Sequence, residues 1–314
     1  MSSSFRVLTW NITNGGGEKL RDRLQFIISQ KPDIIALQEA RASTWERFNT
    51  NFNDLLNEEG FTKCNRKPTT HCHLAGPPTN KKHPNGQIIL SKWKIIKKLP
   101  SIQPPLNLNG WKAELVKECH LFGESLLSVV IQTPWKEKME FHSIHIPAAS
   151  NFKEKPHPEG LTKVYTEQAV YERLARKSNL PQIIVGDLNT PRAELLDGGL
   201  VTGIERPDGK GGKKWGPNVR KRTMTIRGMD AYLWRDIECN LLRGLEKFDV
   251  YDVFRLIHGN ERLDATTHRR GRYDHIFSSL KLNPIACEHL DGYKLVHPVN
   301  LEEHSPVIAD FAPN

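Results

Sequence analysis

The sequence predicts a layered α/β fold on three observations. Near its start, β-branched runs alternate with helical periodicity; the middle is a series of strand-like runs without a long helix; and polar residues stand at the ends of apolar runs far apart in the chain. At 314 residues the chain exceeds the ~100–150 residues of an average domain, yet large layered α/β folds reach this size as one unit. The expectation is one domain over 1–314, carrying a basic insertion at about 205–228.

"FRVLTWNI" (5–12) ends against "TNGGG" and reads as a first strand stopped by glycines. Leu20, Leu24, Ile27 and Ile28 recur at helical spacing, and Ile34 to Leu37 form a buried strand ending in Gln38-Glu39. Ser43 and Glu46 have capping-box spacing, and Trp45, Phe48, Phe52, Leu55 and Leu56 make an apolar stripe that stops at Gly60. The runs 86–95, 111–116, 124–133 and 140–147 are punctuated by Pro and Gly and predict an antiparallel meander. A helix is expected over 161–177, facing the core with Leu161, Val164, Tyr165 and Leu174.

In "QIIVGDLNTPRAE" (182–194) an apolar run breaks at Gly186, and Asp187 and Asn189, two apart, project to one side of an extended chain. The same pattern describes an ordinary strand-to-turn junction in which Asp and Asn bond their own backbone. The glycine-rich, basic stretch 205–228 predicts a long surface loop or hairpin. The second half of 247–259 reads as helix, and 271–282 and 302–311 return to strand.

The chain holds 45 Lys+Arg against 36 Asp+Glu, a net charge of +9, which favours polyanionic partners such as nucleic acid or phosphorylated surfaces. Its 26% charged residues are close to the ~25% of ordinary globular chains, so a merely solvated basic surface is the competing reading. No apolar run approaches the ~18 residues of a membrane span, and the N-terminus lacks the pattern of an export signal. A soluble, intracellular protein is expected, without a membrane or an evident protein partner, as a monomer. Five scattered cysteines argue against a disulfide framework. Cys64, His71, Cys72 and His73 lack the paired couples of a zinc site.

Asn11, Glu39, Asp187 with Asn189, Asp274 with His275, and Glu303 with His304 each stand at or beside the end of an apolar strand. Strand ends of layered α/β folds converge on one rim, where ligand sites collect. Carboxylates gathered there repel unless a cation or reacting group compensates them, and an oxygen-rich set suits Mg²⁺ or Mn²⁺. His275 is read as structural, because neighbours along a strand face opposite sides.

"LTWNI", "PDIIALQEA", "SIHIP", "IIVGDLNTP", "RYDHIF" and "EEHSPV" occur in the order and with the approximate spacing of the endonuclease/exonuclease/phosphatase superfamily, which the chain resembles from Phe5 to Phe311. The resemblance implies a four-layered αββα sandwich with two mainly antiparallel sheets and metal-dependent hydrolysis of phosphate esters. It implies that Glu39 binds the metal, that Asn11 helps fix metal or phosphate, and that Asp187 orients or deprotonates the attacking water. Asn189 would polarise the phosphate or hold Asp187, His304 would meet the scissile phosphate, and Asp274 would hold the His304 ring. His145 resembles the general-acid histidine of the deoxyribonuclease I branch. Glu303 stands where the family has aspartate and is expected at the metal, and Thr13 and Asn14 replace an acidic residue usual after the first asparagine.

In the insertion, Lys213, Lys214, Arg220 and Arg222 are candidate phosphate contacts, and Trp215 is a candidate for stacking on a base. The expected function is a DNA or RNA nuclease. A phosphatase or phosphodiesterase of inositol phosphates or phospholipids is the alternative, although the run expected of inositol phosphatases is replaced by "GRYDHIF". A non-catalytic nucleic-acid binding module on the same scaffold is the third reading.

Overall fold

Side chains alternate along a strand, so each strand offers one face to one neighbour and the other face to another. The computed structural model describes residues 4–41, 53–61, 72–75, 85–119, 123–148, 159–263, 271–290 and 304–312. In chain order these form β1 (Phe5–Asn11), α1 (Leu20–Ser29), β2 (Ile34–Ala40), α2 (Asn53–Glu58), β3 (Cys72–Ala75), β4 (Gly86–Ser91) and β5 (Lys94–Lys98). Then follow α3 (Ala113–Glu118), β6 (Leu126–Gln132), β7 (Lys138–His145), α4 (Glu159–Leu174) and β8 (Gln182–Asp187). Short ladders come next: β9 (Ala193–Glu194) with β10 (Leu200–Val201), β11 (Glu205–Pro207) with β12 (Lys213–Trp215), and β13 (Thr225–Ile226) with β14 (Met229–Asp230). The chain closes with α5 (Ala231–Arg243), β15 (Tyr251–Asp252), α6 (Val253–His258), β16 (Asp274–Ser278), β17 (Pro284–His289) and β18 (Val307–Phe311).

Two six-stranded sheets result, in the orders β17-β18-β1-β2-β4-β3 and β15-β16-β8-β7-β6-β5. Each contains one parallel pair, β1 with β2 and β7 with β8, and is otherwise antiparallel. The inner faces meet in one core: Phe5, Val7, Ile34 and Ala36 of the first sheet are buried with Phe141, Ile183, Val185 and Ile276 of the second. The outer face of the first sheet (Leu8, Trp10, Ile35, Leu37) is covered by Leu20, Leu24 and Ile27 of α1. That of the second (Ile144, Ile184) is covered by Ala169 and Val170 of α4 and Leu241 of α5. This is the αββα sandwich implied by the family resemblance.

Towards one end of the inter-sheet cleft the apolar residues give way to polar ones. Gln38 Nε2 donates to Thr9 Oγ1 at 3.1 Å and to Ser143 Oγ at 3.0 Å, and the Ser143 hydroxyl donates to Gln87 Oε1 at 2.5 Å. These four side chains join the two sheets, and all are buried. Buried polar groups that satisfy one another fix relative position more sharply than apolar contacts do.

Several expectations change. The run 86–95 is two strands in different sheets, because Lys92-Trp93 carries the chain from β4 to β5 and buries Trp93 against Phe5. The meander is therefore β5-β6-β7 alone. The run 111–116, read as strand, contains the start of α3: Ala-Glu-Leu-Val-Lys-Glu is rich in helix formers, and Leu115 packs against the cluster around Met229. Helix α5 and strand β17 have no counterpart in the sequence reading. Asp230 caps α5 by accepting from the Leu233 amide at 3.0 Å, and Trp234, Ile237 and Leu241 form its buried face. Of the helix expected before Gly60, only Asn53–Glu58 is described, and Ser43 to Phe52 lie outside the described residues. So do Cys64 and His71. Cys239 and Cys287 are free thiols, and the Cys119 thiol donates to the Leu115 carbonyl at 3.3 Å. Among the described residues no helix is long and apolar enough to cross a membrane.

Candidate active site at the open end of the inter-sheet cleft

The site begins where each strand's inward-facing series runs out of apolar residues. Along β1 the inner face reads Phe5, Val7, Thr9, Asn11; along β7 it reads Met139, Phe141, Ser143, His145; along β8 it reads Ile183, Val185, Asp187. Strand β16, antiparallel to β8, enters with Asp274 directly opposite Asp187 and continues to the inward Ile276. The last rung of the core is thus polar on four strands. On β2 a register irregularity between Gln38 and Ala40, with Glu39 at φ +56°, accompanies the placing of Glu39 beside them.

Asp187 is the hub. Asn11 Nδ2 donates to Asp187 Oδ2 at 2.9 Å and to Glu39 Oε1 at 3.1 Å, while Asn11 Oδ1 accepts from the Thr13 amide at 3.0 Å. Asn11 therefore bridges two carboxylates through its amide hydrogens. His304 Nδ1 is 2.8 Å from Asp274 Oδ2, and its Nε2 faces Asp187 Oδ2 at 3.8 Å. His145 Nε2 lies 3.7 Å from Glu39 Oε1 and 4.0 Å from Asp187 Oδ2. His304 is anchored through its carbonyl, which accepts from Trp10 Nε1 at 2.9 Å.

The turn after β8 holds Asp187 from below. The Asn189 amide donates to Asp187 Oδ1 at 2.8 Å, and its side-chain nitrogen donates to Asp187 Oδ2 at 3.2 Å and to the Ile146 carbonyl at 2.8 Å. Asn189 adopts φ +51°, a left-handed conformation that asparagine tolerates better than most residues. Gly186 is required one step earlier: at φ +133° a Cβ would stand 2.0 Å from the Ile144 carbonyl oxygen on the parallel neighbour.

Burial pushes the Asp187 carboxyl up, and Asp274 adds to that against the pull of His304, leaving it above its usual range. Burial would also push Glu39 up, but His145, the Asn14 amide and Asn11 outweigh it and leave Glu39 below the usual range. For His304, burial lowers the imidazole, yet the charges of Asp274 and Asp187 and the bond to Asp274 override it, raising it to about 10. The ring is therefore an imidazolium at neutral pH.

Asp187, Asp274 and His304 present ligand atoms that all lie within 4.8 Å of one another, and Glu39 joins Asp187 through Asn11 and His145. The carboxylate oxygens, with no sulfur beside them, are the donors a hard divalent cation takes, whereas the protonated His304 ring has no lone pair to offer it. The residues present fit such an ion.

Of the residues singled out in the sequence, Asn11, Glu39, His145, Asp187, Asn189, Asp274 and His304 come together. Glu303 lies outside the described residues. His275 faces away: it is buried with Nε2 3.0 Å from the Thr190 carbonyl and Nδ1 3.5 Å from Asp252. Lys213, Lys214, Arg220 and Arg222 are exposed, and the Lys213 ammonium is tied to the Leu200 carbonyl at 2.8 Å and to Glu205 at 3.3 Å. Trp215 is half-buried, edge-on to Tyr232 and beneath Arg235.

Three contributors escape the sequence reading. Asn85 donates to Glu39 Oε2 at 3.2 Å, and the Asn14 amide donates to the same oxygen at 2.8 Å. The Asn-Gly pair just before β4 was the available signal for Asn85. Lys163 donates to the Asn189 carbonyl at 3.0 Å; its only sequence signal is Glu167, one helical turn on.

A cavity of about 320 Å³ lies elsewhere, lined by Glu194, Asp252, Arg255 and Arg272 among others, and shares no residue with this cluster. Its charges satisfy one another: Arg272 pairs with Glu194 at 2.8 Å and Asp252 at 2.6 Å, and Arg255 pairs with Glu194 at 2.5 Å. This network holds Arg272, two residues before Asp274, and so fixes the start of β16.

The basic stretch 205–228 flanks the site. Lys163 of α4 pairs with Glu238 of α5, and Tyr171 lies against Gly244 just past its end, so the two helices run in the same direction. Ile204, Val219, Ile226 and Met229 pack on Leu161 and Val164, at the end of α4 that reaches Asn189.

A family model described as the Endonuclease/Exonuclease/phosphatase family matches residues 8–294. No curated protein sequence is matched. Among solved structures, an AP endonuclease from Archaeoglobus fulgidus is similar with TM-score 0.61 and 16% identity, covering 98% of this chain and 99% of that one. A 3′ phosphatase, NExo, from Neisseria, solved with a product DNA hairpin, is similar with TM-score 0.57 and 14% identity over 98% and 99% of the chains. The catalytic domain of Xenopus laevis APE2 has TM-score 0.57 and 17% identity over 98% and 92%. At these identities the likeness is one of fold.

Proposed function

The chain belongs to the Endonuclease/Exonuclease/phosphatase family and is a hydrolase of phosphoric ester bonds, and on that premise we propose that it is a nuclease, cleaving a nucleic-acid phosphodiester with Asp187-activated water. The observation that carries this reading is the convergence of Glu39, Asn11, His145, Asn189 and the Asp274–His304 pair on one buried carboxylate. A divalent cation, Mg²⁺ or Mn²⁺, held by Glu39 with Asn11 beside it, would neutralise phosphate charge.

Asp187 takes the proton of the attacking water at Oδ2, a role suited to a carboxylate whose proton affinity burial has raised. Asn189 and Asn11 keep that oxygen aimed by donating to it. His304, charged and oriented by Asp274, donates to a non-bridging phosphate oxygen and stabilises the charge that develops there. His145, beside Glu39 and Asp187, supplies a proton to the leaving oxygen.

Nucleic acid is favoured over a small phosphate ester by the net charge of +9 and by the insertion, which packs on the end of α4 nearest Asn189 and exposes Lys214, Arg220 and Arg222. The AP endonuclease and the hairpin-bound phosphatase act on DNA with the same fold, which supports that substrate class. The test is a panel of labelled single-stranded, duplex, abasic and RNA oligonucleotides, with inositol phosphates beside them, incubated with Mg²⁺, Mn²⁺ or EDTA. Cleavage that requires metal and falls about 10²–10⁴-fold in Asp187→Asn is expected, the range of a lost general base. Intact oligonucleotides in both metals refute the nuclease reading.

A further inference from the structure

Lys163 is 3% exposed, on a helix whose Leu161, Val164 and Tyr165 are buried beside it. A buried ammonium is costly unless it is paired and hydrogen-bonded, and an aliphatic residue would fill the same space without that cost. Its ammonium has two bonds, to Glu238 Oε1 at 2.8 Å and to the Asn189 carbonyl at 3.0 Å. Glu167 Oε1 stands farther off at 3.6 Å, and neither Glu167 oxygen has a hydrogen-bond partner among the described residues. Burial pushes the Glu167 carboxyl up to about 8, so at neutral pH one ammonium faces one carboxylate.

Glu238 is itself fixed, accepting from the Gly203 amide at 2.6 Å and from Trp234 Nε1 at 3.2 Å. Lys163 therefore links three elements: helix α5, the residue just ahead of the basic insertion, and the turn carrying Asn189. In that turn the left-handed φ of Asn189 is what lets its amide and side chain both reach Asp187, and a non-glycine residue there is strained by of order 1 kcal/mol. Two groups outside the turn hold it: the Ile146 carbonyl takes the Asn189 side chain at 2.8 Å, and Lys163 grasps the Asn189 carbonyl.

We infer that Lys163 is a positioning residue of the hydrolytic site: fixed by Glu238, its ammonium holds the Asn189 carbonyl and thereby keeps both Asn189 donors on Asp187. The inference rests on the hydrolase reading, and its test separates the two. Lys163→Met alone leaves Glu238 buried and unpaired and destabilises the fold for that reason. The double variant Lys163→Met/Glu238→Gln removes both charges, and its melting temperature is expected to return towards the wild-type value.

In the double variant kcat is expected to fall about 10–100-fold with KM within about twofold, the signature of lost transition-state alignment. In metal-free protein, amide hydrogen exchange at residues 187–190 is expected to accelerate at least about tenfold as the turn opens. Both changes together support the inference. Wild-type kcat or wild-type exchange in the double variant overturns it. If the double variant does not fold, Glu238→Gln alone, which loosens the ammonium, should show smaller changes of the same kind, and wild-type values there overturn the inference. A wild-type protein that cleaves no substrate refutes the hydrolase reading, and the exchange measurement then decides by itself whether Lys163 holds the turn.

Discussion

Replacing Asp274 by Asn removes a charge and little else, because the amide oxygen can still accept from His304 Nδ1. In the wild type that contact is 2.8 Å, and the opposite ring nitrogen faces Asp187 at 3.8 Å. Against the lowering effect of burial, the two carboxylates lift His304 from 6.5 to about 10, roughly 5 kcal/mol of preference for the charged ring. A hydrogen bond to a charged group contributes about 1.5–3 kcal/mol, so losing the Asp274 charge should bring His304 down by about 1–2 units, with Asp187 sustaining the remainder. The sign of the stability effect follows from linkage. A raised folded-state pKa stabilises fully below 6.5 and loses that contribution as pH rises through about 10. Asp274→Asn should therefore be less stable than wild type at pH 6, with the gap closing above pH 10. The measurements are an NMR titration of the His304 ring in EDTA, and urea unfolding of both proteins at pH 6, 8 and 10. Identical His304 titrations in the two proteins would refute the electrostatic account of the pair.

Two further outcomes are expected. Burial would raise Glu194, but its bonds and charges to Arg272 and Arg255 hold it at about 2, so its contribution is present above 4.5 and lost as pH falls towards 2. Glu194→Gln, less stable at pH 7, should lose roughly 3 kcal/mol less than wild type over that window by urea unfolding. Replacing Lys214, Arg220 and Arg222 by Ala should lower the slope of log affinity against log salt by about 2–3 on a single- or double-stranded oligonucleotide, if each contacts one phosphate. Lys213→Ala, whose ammonium is bound to Leu200 and Glu205, should change stability more than that slope.

What the sequence discloses and what it withholds follow from how far each interaction reaches. Strands β1, β2, β7, β8, β16 and β18 were legible because each is an apolar run closed by turn-formers, and the polar residues at their ends were legible for the same reason. The division of 86–95 between two sheets was not, since Ile88 to Ile95 is apolar enough to read as one run and nothing local says that Trp93 crosses to another layer. The run 111–116 was misread as strand from its Trp, Leu and Val, although the helix that begins within it is built of helix formers. Lys163 was illegible as a contributor because its partners Asn189 and Glu238 lie 26 and 75 residues away, and a lysine in an amphipathic helix ordinarily faces solvent.

The topology accounts for an asymmetry among the motifs. Asn11, Glu39, His145 and Asp187 stand at the ends of their strands, whereas Asp274 and His304 stand at or just before the starts of theirs. Each sheet has one parallel pair, β1 with β2 and β7 with β8, and helices α1 and α4 carry the chain back between the members of each pair. All four of those strands therefore deliver their C-terminal ends to one rim of the cleft. The flanking strands β18 and β16 are antiparallel to β1 and β8, so their N-terminal ends reach that rim. Moving the Asp274–His304 pair to the far ends of its strands, with the sheets unchanged, would place it at the opposite mouth of the sandwich. The position of a polar cluster before or after its strand is thus a topological constraint, set by strand direction as firmly as the choice of Asp or His is set by the chemistry.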